Sequence, residues 1–392
     1  MSYLIILNWE SKKTLYNLIM YILKECNTPI ATFELSKNND SRCKVSNLKI
    51  LNKELLPLGM DFTNEGVALW LKQRIIPKNR GYVDNILSRF GIGYRETIAI
   101  INICKVLSLN DSYWVVDENF EGDFFRYNIY QNKINSSISK IALTGYGDKG
   151  RISKDIISPE FTTNGMLAKC WRRINGKLYL YKAATIGFAN AGKEPYSEFY
   201  AYQIAKTMGL DIVKYNIKKL WGNTCSTCEI FTDIDHSYIP IGRIIKNCTI
   251  EKVLEYYKNL GEEYYNSLIS MFVFDAIICN TDRHFENFGL IIDNSTNTIC
   301  KTAPIFDNGL SLFNYALDNE LNNAKEYSKT RYPAAYDNFV NFVKPLMSEV
   351  QKKQVRKLIN FKFKKHPRYN LDSKRLKNIE NFIQVRIKEL LD

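Results

Sequence analysis

One stretch of the sequence, residues 271–312, constrains this chain more than any other. It begins as a helix-like apolar run and then breaks into the polar cluster Asn280–Asn287. A strand-like run follows at Phe288–Ile292, and a second apolar segment ends in the turn-like Ile305–Gly309. The carboxylate and amide side chains gathered at the ends of apolar segments indicate a site for chemistry.

The residue types and spacing in this stretch fit phosphoryl transfer from a nucleotide. That reaction needs a carboxylate that accepts the hydroxyl proton and oxygen ligands that hold Mg²⁺. Asp282 and Asn287 keep the five-residue interval of the catalytic base and Asn ligand in kinases, and Asp307 comes just before Asn308 and Gly309 at the end of a strand. Mg²⁺ retains several waters, so two or three protein oxygens suffice. The alternative is a helix end and a hairpin whose Asp and Asn residues only cap and turn.

The combined string N-x-D-R-H-x-x-N-x-G, followed by P-I-F-D-N-G-L-S-L, closely resembles the HipA-like family of bacterial serine/threonine kinases. The stretches Val67–Pro77, Leu107–Trp114 and Asn119–Phe125 resemble, more loosely, the leader region of clostridial-type members. The resemblance implies an α+β, protein-kinase-like fold with a small β-rich lobe, a larger helical lobe and an N-terminal accessory region. It also implies ATP, Mg²⁺, a protein substrate with a Ser or Thr acceptor, and a possible toxin role with a DNA-binding antitoxin partner.

The resemblance assigns a role to each candidate residue of the catalytic stretch. Asp282 would accept or orient the hydroxyl proton, and Asn287 and Asp307 would bind the metal. His284 is grouped with the nucleotide-binding residues, where it would brace the loop. Lys182, at the end of a strand-like run, would bind the nucleotide phosphates.

A helix is predicted to follow that strand, since Pro195 suits a first turn and Gly209 suits a helix end. Glu198, on its first turn, is the predicted partner that orients Lys182. Glu194 is the rival, and both could simply favour a helix N-terminus by their charge.

The loop 158–165 precedes two strand-like runs that are joined by Asn175-Gly176, a dipeptide typical of a two-residue hairpin turn. By its position this loop would cover the nucleotide phosphates. It has one glycine and so departs from the G-x-G-x-x-G of protein kinases, and an ordinary turn is the alternative. The phosphate-binding candidates in it are Thr162, Thr163, Asn164 and Gly165. The two threonines are also candidate sites of autophosphorylation, with Ser153 and Ser158 as alternatives.

The remaining binding prediction concerns a hinge between lobes. By resemblance, Glu229 and Phe231 fall where main-chain groups would read the edge of adenine, although any edge strand could have this pattern.

Helical runs are predicted at 249–260 and 262–279. Near the N-terminus, Leu15, Leu18, Ile19 and Ile22 share a predicted helical face.

The predicted regions are an accessory region at 1–135, a small kinase lobe at 136–234 and a helical lobe with a basic tail at 235–392.

Composition limits the possible functions and locations of the chain. No apolar run approaches the ~18 residues of a membrane span, and we expect a cytoplasmic protein. The net charge of +13 is concentrated in the tail, which could meet nucleic acid or form solvated faces of packed helices. Two other functions stay open: a small-molecule phosphotransferase, and a non-catalytic nucleotide-binding, DNA-binding or repressor-partner protein.

Overall fold

The computed structural model describes residues 19–37, 43–147, 157–187 and 190–392 of the chain. The N-terminal part forms a four-stranded antiparallel sheet with strand order β3-β2-β1-β4. The strands are β1 (Ile19–Glu25), β2 (Thr28–Lys37), β3 (Cys43–Ile50) and β4 (Tyr113–Asp117).

The sheet corrects the predicted helical face near the N-terminus. Ile19 and Ile22 belong to strand β1, whose buried residues are every second one, beginning with Tyr21 and Leu23. Side chains three residues apart point to opposite sides of a strand, so Ile19 and Ile22 do not share a face, and the buried side is formed by alternate residues. Leu15 and Leu18 lie outside the described residues.

In the described residues, five short helices lie between β3 and the second sheet in the sequence. They are α1 (Asn64–Gln73), α2 (Val83–Ser88), α3 (Thr97–Cys104), α4 (Phe124–Tyr127) and α5 (Ser136–Thr144). Of these, α1 and α3 pack against the first sheet. Side-chain caps start several of them: the Thr63 hydroxyl accepts from the Gly66 amide, and the Asn135 side chain accepts from the amides of Ser137 and Ile138.

The second sheet is also antiparallel, with the order β5-β6-β8-β7. Its strands are β5 (Lys169–Ile174), β6 (Lys177–Ala183), β7 (Tyr215–Leu220) and β8 (Asn223–Glu229). The predicted hairpin at Asn175-Gly176 is confirmed, and both residues have the positive φ that the tight turn requires, 50° and 81°. Between β6 and β7 lies helix α6 (Glu194–Met208), which ends at Gly209 with φ 86°, as its sequence predicted.

One hydrophobic core joins the two sheets. Buried side chains of β1 and α1, such as Tyr21 and Leu71, belong to the same cluster as Cys170 of β5, Tyr181 of β6 and Cys225 of β8. The N-terminal region and the small β-rich lobe therefore share their core. The predicted boundaries at 135/136 and 234/235 stay predictions.

The C-terminal half is mostly helical, around a small antiparallel sheet of order β11-β10-β9. The strands are β9 (His236–Pro240), β10 (Gly289–Asp293) and β11 (Thr298–Thr302). The helices are α7 (Ile241–Ile244), α8 (Ile250–Leu260), α9 (Glu262–Ile278), α10 (Ala324–Ser328), α11 (Phe339–Val343), α12 (Glu349–Arg356) and α13 (Ser373–Leu391).

Helix α9 is the centre of this lobe. From Leu268 to its end every side chain is buried, and it packs against α8, α11, α12 and α13. The basic tail packs as well, since Leu376, Ile379 and Phe382 on α13 are buried in the same core. None of the helices in the described ranges is long and apolar enough to cross a bilayer.

Candidate active site

Lys182 connects three elements of the two lobes at the centre of the site. It lies near the end of β6 with 6% of its surface exposed, and its Nζ forms an ion pair with the carboxylate of Glu198 on α6. The same Nζ lies 2.7 Å from Oδ1 of Asp307. The amide of Asn308 donates to the second oxygen of Glu198 at 2.8 Å, so Glu198 fixes both the lysine and the turn that carries Asp307.

The geometry distinguishes between the two glutamates of α6. Glu194 is buried too, but its carboxylate accepts from the Tyr315 hydroxyl at 3.2 Å and from the Thr185 amide at 3.3 Å. Glu198 is therefore the carboxylate of this helix that pairs with Lys182.

The charges of this cluster stabilise one another. Burial opposes the charged form of Lys182, but Asp307 and Glu198 outweigh it and raise the pKa of Lys182 well above its ordinary value. Burial would likewise raise the pKa of Asp307, but Lys182 and Lys169 outweigh it and lower that pKa to about 2. At neutral pH both the ammonium and the carboxylate are charged.

Asp282 and Asn287 lie in one tight loop after α9. The helix ends at Ile278, and Cys279 adopts a left-handed conformation with φ 49° that turns the chain out of the helix. The Asn287 side-chain amide donates to the main-chain carbonyl of Asp282 at 2.9 Å, which leaves the Asn287 amide oxygen available as a ligand. Asn280 fixes the start of the loop, since its Oδ1 accepts from the Asp282 amide at 3.1 Å.

Arg283 anchors this loop to its surroundings, a role that the sequence analysis missed. Its guanidinium is 1% exposed and forms a two-point ion pair with Asp275 of α9, at 2.9 and 3.1 Å. It also donates to the carbonyls of Asn287 and Phe306, at 3.0 and 2.6 Å. One buried side chain thus holds α9, the Asp282 loop and the segment before Asp307 in register.

The carboxylate of Asp282 is half-buried near Asp307. Burial raises the pKa of Asp282, and the negative charge of Asp307 raises it further, against the opposing effect of His284 and nearby cations. His284 itself is exposed, and its Nδ1 accepts from the Glu286 amide at 3.2 Å. This hydrogen bond fits a loop-bracing side chain.

The predicted phosphate loop is more closely packed than its sequence indicated. Thr162 is 5% exposed and its hydroxyl donates to the Leu107 carbonyl at 2.7 Å. The Thr163 hydroxyl donates to the Pro159 carbonyl at 2.7 Å. Neither hydroxyl is free to donate to a phosphate in this conformation, and Thr162 would have to be released before it could accept a phosphoryl group. The same holds for Ser158, which is 1% exposed, whereas Ser153 lies outside the described residues.

Lys169, a second lysine of the site, was not singled out by the sequence analysis. It is the cross-strand partner of Lys182, it is 6% exposed, and its Nζ donates to the carbonyl of Asn164 at 2.7 Å. Asn164 and Gly165 are exposed at the tip of the loop. Gly165 has φ +92°, a conformation that favours glycine, and a Cβ there would lie 2.3 Å from the Lys169 Nζ, so a side chain would displace the lysine from this position.

The environment of Lys169 makes it sensitive to pH. Burial lowers its pKa to about 7, with Arg80 and Lys182 acting in the same direction and Asp307 and Glu160 opposing them. Lys182 and Lys169 are thus two cations of different character, one permanently charged and one close to its titration point at neutral pH.

The N-terminal region holds the phosphate loop through a buried ion pair. Arg80 contacts Glu160 at 2.7 Å, and neither side chain is exposed. Arg80 also donates to the carbonyl of Lys169 at 2.8 Å, and Glu160 accepts from the Trp171 amide at 2.8 Å. The two partners are 80 residues apart, so no local pattern could have predicted their contact.

The predicted adenine-side residues lie at the end of β8. The Glu229 carboxylate faces Lys177 at 2.7 Å in an exposed ion pair. Phe231 packs against Phe306 and Tyr238, with ring centroids 5.3 and 5.5 Å away. Because Phe306 directly precedes Asp307, this aromatic cluster borders the charged site.

The donor set around Asp307 fits Mg²⁺ bound together with nucleotide phosphates. Asp307 is ionised and 37% of its side chain is exposed, and the Asn287 oxygen would be the second hard ligand. The described residues contain no group of three or more His, Cys, Asp or Glu side chains placed to hold a metal ion alone. Mg²⁺ is commonly bound by one or two carboxylates together with substrate phosphates, so these residues suffice for it.

A small β-rich lobe and a helical lobe with polar residues converging between them define an α+β, two-lobed, protein-kinase-like fold. A solved structure agrees with this assignment of the fold. A chain of the Shewanella oneidensis MR-1 toxin–antitoxin complex of HipA, HipB and operator DNA matches with a TM-score of 0.50 at 11% identity, over 95% of this chain and 99% of that one. The proinflammatory kinase CtkA of Helicobacter pylori matches with a TM-score of 0.44 at 16% identity, over 57% of this chain and 91% of that one. The match to the HipA complex confirms the fold that the resemblance to HipA-like kinases implied.

Comparison of sequences adds nothing to this result, since no family model and no curated protein matches the chain.

Proposed function

We propose that this chain is a kinase that transfers the terminal phosphoryl group of ATP, with Mg²⁺, to a Ser or Thr hydroxyl of a protein. The observation that carries the proposal is the Lys182 ammonium held between Glu198 and Asp307. In protein kinases a strand lysine paired with a helix glutamate binds the nucleotide phosphates, and the metal-binding aspartate must be in place beside it. Three elements distant in the sequence supply these groups here.

Each residue has a role in the reaction. Lys182 and Lys169 offset the phosphate charge, and Asn287 and Asp307 hold Mg²⁺, which supplies electrostatic stabilisation of the transferring group. Asp282 accepts the proton as the substrate oxygen attacks the terminal phosphorus. The bond between that phosphorus and the bridging oxygen breaks, and ADP leaves. The raised pKa of Asp282 suits a group that accepts a proton.

The phosphate loop is proposed to act through its main chain. The Thr162 and Thr163 hydroxyls are engaged within the loop, whereas Asn164 and Gly165 are exposed at its tip beside Lys169. Backbone amides of such a loop can approach phosphates closely where a glycine has no side chain.

The test is incubation of the purified chain with γ-labelled ATP, Mg²⁺ and cell lysate, followed by identification of the labelled species. Label in a protein at Ser or Thr, absent with Asp282→Asn, is the expected result. Label in a small molecule would instead identify a small-molecule phosphotransferase. An intact chain that labels nothing would leave a non-catalytic binding protein. Exposed Asp337, changed to Asn, is a matched control that should retain activity.

We also propose that the chain acts with a DNA-binding protein partner. Support comes from the neighbouring HipA structure, which was solved together with HipB and operator DNA. Capture with the tagged chain from its native cells, followed by electrophoretic mobility shifts of DNA with and without the captured protein, tests this. A shift that needs both proteins is expected, and a chain that captures no DNA-binding protein would contradict the proposal.

A further inference from the structure

A cavity of about 240 Å³ lies on the helical lobe, between the segment 325–341 and helix α13. No residue of the nucleotide site lines it. Its charged lining consists of Lys325, Lys329, Arg331, Arg386 and Glu389, four cations against one carboxylate. Such an excess of positive charge around a concave surface attracts anions.

The two lysines of the cavity already have carboxylate neighbours. Lys329 pairs with Glu326 at 2.8 Å, and both side chains are more than half exposed, so this pair is weak. Lys325 lies 3.9 Å from Glu389, at the limit of an ion pair. Both lysines could therefore turn toward another anion at little cost.

Arg331 has no carboxylate within ion-pair distance in the described part of the chain. Its Nε donates to the Thr330 hydroxyl at 3.1 Å, and its guanidinium lies 4.9 Å from the Tyr327 ring. These contacts orient the side chain but leave its terminal N–H groups for another acceptor.

Arg386 is a buried cation of the cavity whose hydrogen-bonding capacity is only partly used. It is 6% exposed, and its Nε is buried with no hydrogen-bond partner among the described residues. One terminal nitrogen donates to the Cys279 sulfur at 3.5 Å, the other lies 3.5 Å from Glu389, and the guanidinium lies 5.0 Å from the Phe382 ring. Buried guanidinium groups are normally well hydrogen-bonded, because an unsatisfied buried charge is costly.

We propose that this cavity is a binding site for a phosphate-type oxyanion, either free phosphate or the phosphate of a phosphorylated serine or threonine side chain. Arginine recognises phosphate through paired N–H groups, and Arg331 and Arg386 both line the cavity. The volume is well above the ~10–15 Å³ that one water needs. This site is independent of the proposed kinase reaction.

The test is calorimetric titration in the Lys182→Ala background, at constant ionic strength maintained with chloride, so that the nucleotide site is weakened. Inorganic phosphate, acetyl-phosphoserine-amide and its unphosphorylated serine twin are the probes. We expect saturable binding of at least one phosphate probe and none of the serine twin. Tighter binding of phosphoserine than of phosphate would assign the site to a phosphorylated side chain, and the reverse order to the free anion.

The variants locate the site. Arg331→Gln should weaken phosphate binding about tenfold or more, since it removes hydrogen bonds to a charged group. Arg368→Gln, which removes an exposed arginine outside the cavity, should leave binding unchanged. Arg386→Met should abolish phosphate binding. If this variant folds poorly, phosphate binding is measured instead in Lys329→Gln, which changes an exposed cation of the cavity. Absence of saturable phosphate binding, or equal binding by Arg331→Gln and Arg368→Gln, would overturn the proposal.

Discussion

The Asp275–Arg283 ion pair allows a quantitative prediction about the catalytic loop. Asp275→Asn keeps the shape of the side chain but leaves the Arg283 guanidinium without its counter-charge in a fully buried position. Removing one partner of a buried ion pair typically costs ~3–5 kcal/mol. Because native proteins are stable by only about 5–15 kcal/mol, the variant should lose a large part of its free energy of unfolding.

The assay is urea unfolding followed by tryptophan fluorescence, without nucleotide. Glu326→Gln is the matched control, since it also removes one ion pair, but an exposed one, and should cost less than about 1 kcal/mol. The kinase rate should also fall in Asp275→Asn under conditions where it is folded, because Arg283 holds the loop of Asp282 in place. The double variant with Asp275→Leu and Arg283→Met should lose less free energy of unfolding than the sum of the losses in the two single variants.

If Asp275→Asn lost no more than about 1 kcal/mol of its free energy of unfolding beyond the loss in Glu326→Gln, this reasoning would be refuted. It would mean that the Arg283 charge finds water or another partner once Asp275 is neutral. Additive effects in the double variant would likewise contradict the coupling of the two side chains.

Three further predictions concern the site itself. Asp282→Asn should fold and bind nucleotide normally but lose transfer by roughly 10²–10⁴-fold, and a loss below about tenfold in a labelling assay would contradict the proton-accepting role. Asp307→Ala should lose Mg²⁺-dependent nucleotide affinity because a charged oxygen ligand is gone, so unchanged Mg-ATP binding by calorimetry would exclude the metal role. The lowered pKa of Lys169 leaves this side chain mostly neutral at pH 8 in the free protein, whereas bound phosphates favour its charged form. Mg-ATP binding at pH 8 should therefore take up more protons in the parent than in Lys169→Met, and the difference should vanish at pH 6. Calorimetry in buffers of different ionisation enthalpy measures the proton uptake, and equal uptake at pH 8 would contradict the prediction.

The sequence predicted those parts of the molecule whose signals are local. The β5–β6 hairpin follows from its Asn175-Gly176 turn, and α9 follows from its apolar run. The loop of Asp282 and Asn287 was recognisable because it keeps the five-residue interval of the base and Asn ligand in kinases, within the motif N-x-D-R-H-x-x-N-x-G. One available signal was missed: Asp275 is the one carboxylate within the apolar second half of α9, 268–278, and needed a buried partner.

Other features could not be predicted because they depend on contacts between distant parts of the chain. Arg80 looked like any surface arginine, although it is buried against Glu160. The pKa of Lys169 depends on burial, which only the assembled sheets create. The phosphate-loop threonines were predicted from their position in the sequence, and only the structure reveals that carbonyls already engage their hydroxyls.

The core shared by the two sheets has a consequence for synthesis of the protein. It contains Tyr21 of the first strand and Cys225 of β8, so the ribosome must make some two hundred residues before that core can close. Contacts of such sequence separation form slowly, and part of the apolar surface of the N-terminal sheet and its helices stays open to solvent meanwhile. The nascent N-terminal sheet is thus a natural client for chaperones, and codon changes that slow translation between β4 and β8 should increase aggregation more than the same changes after α9.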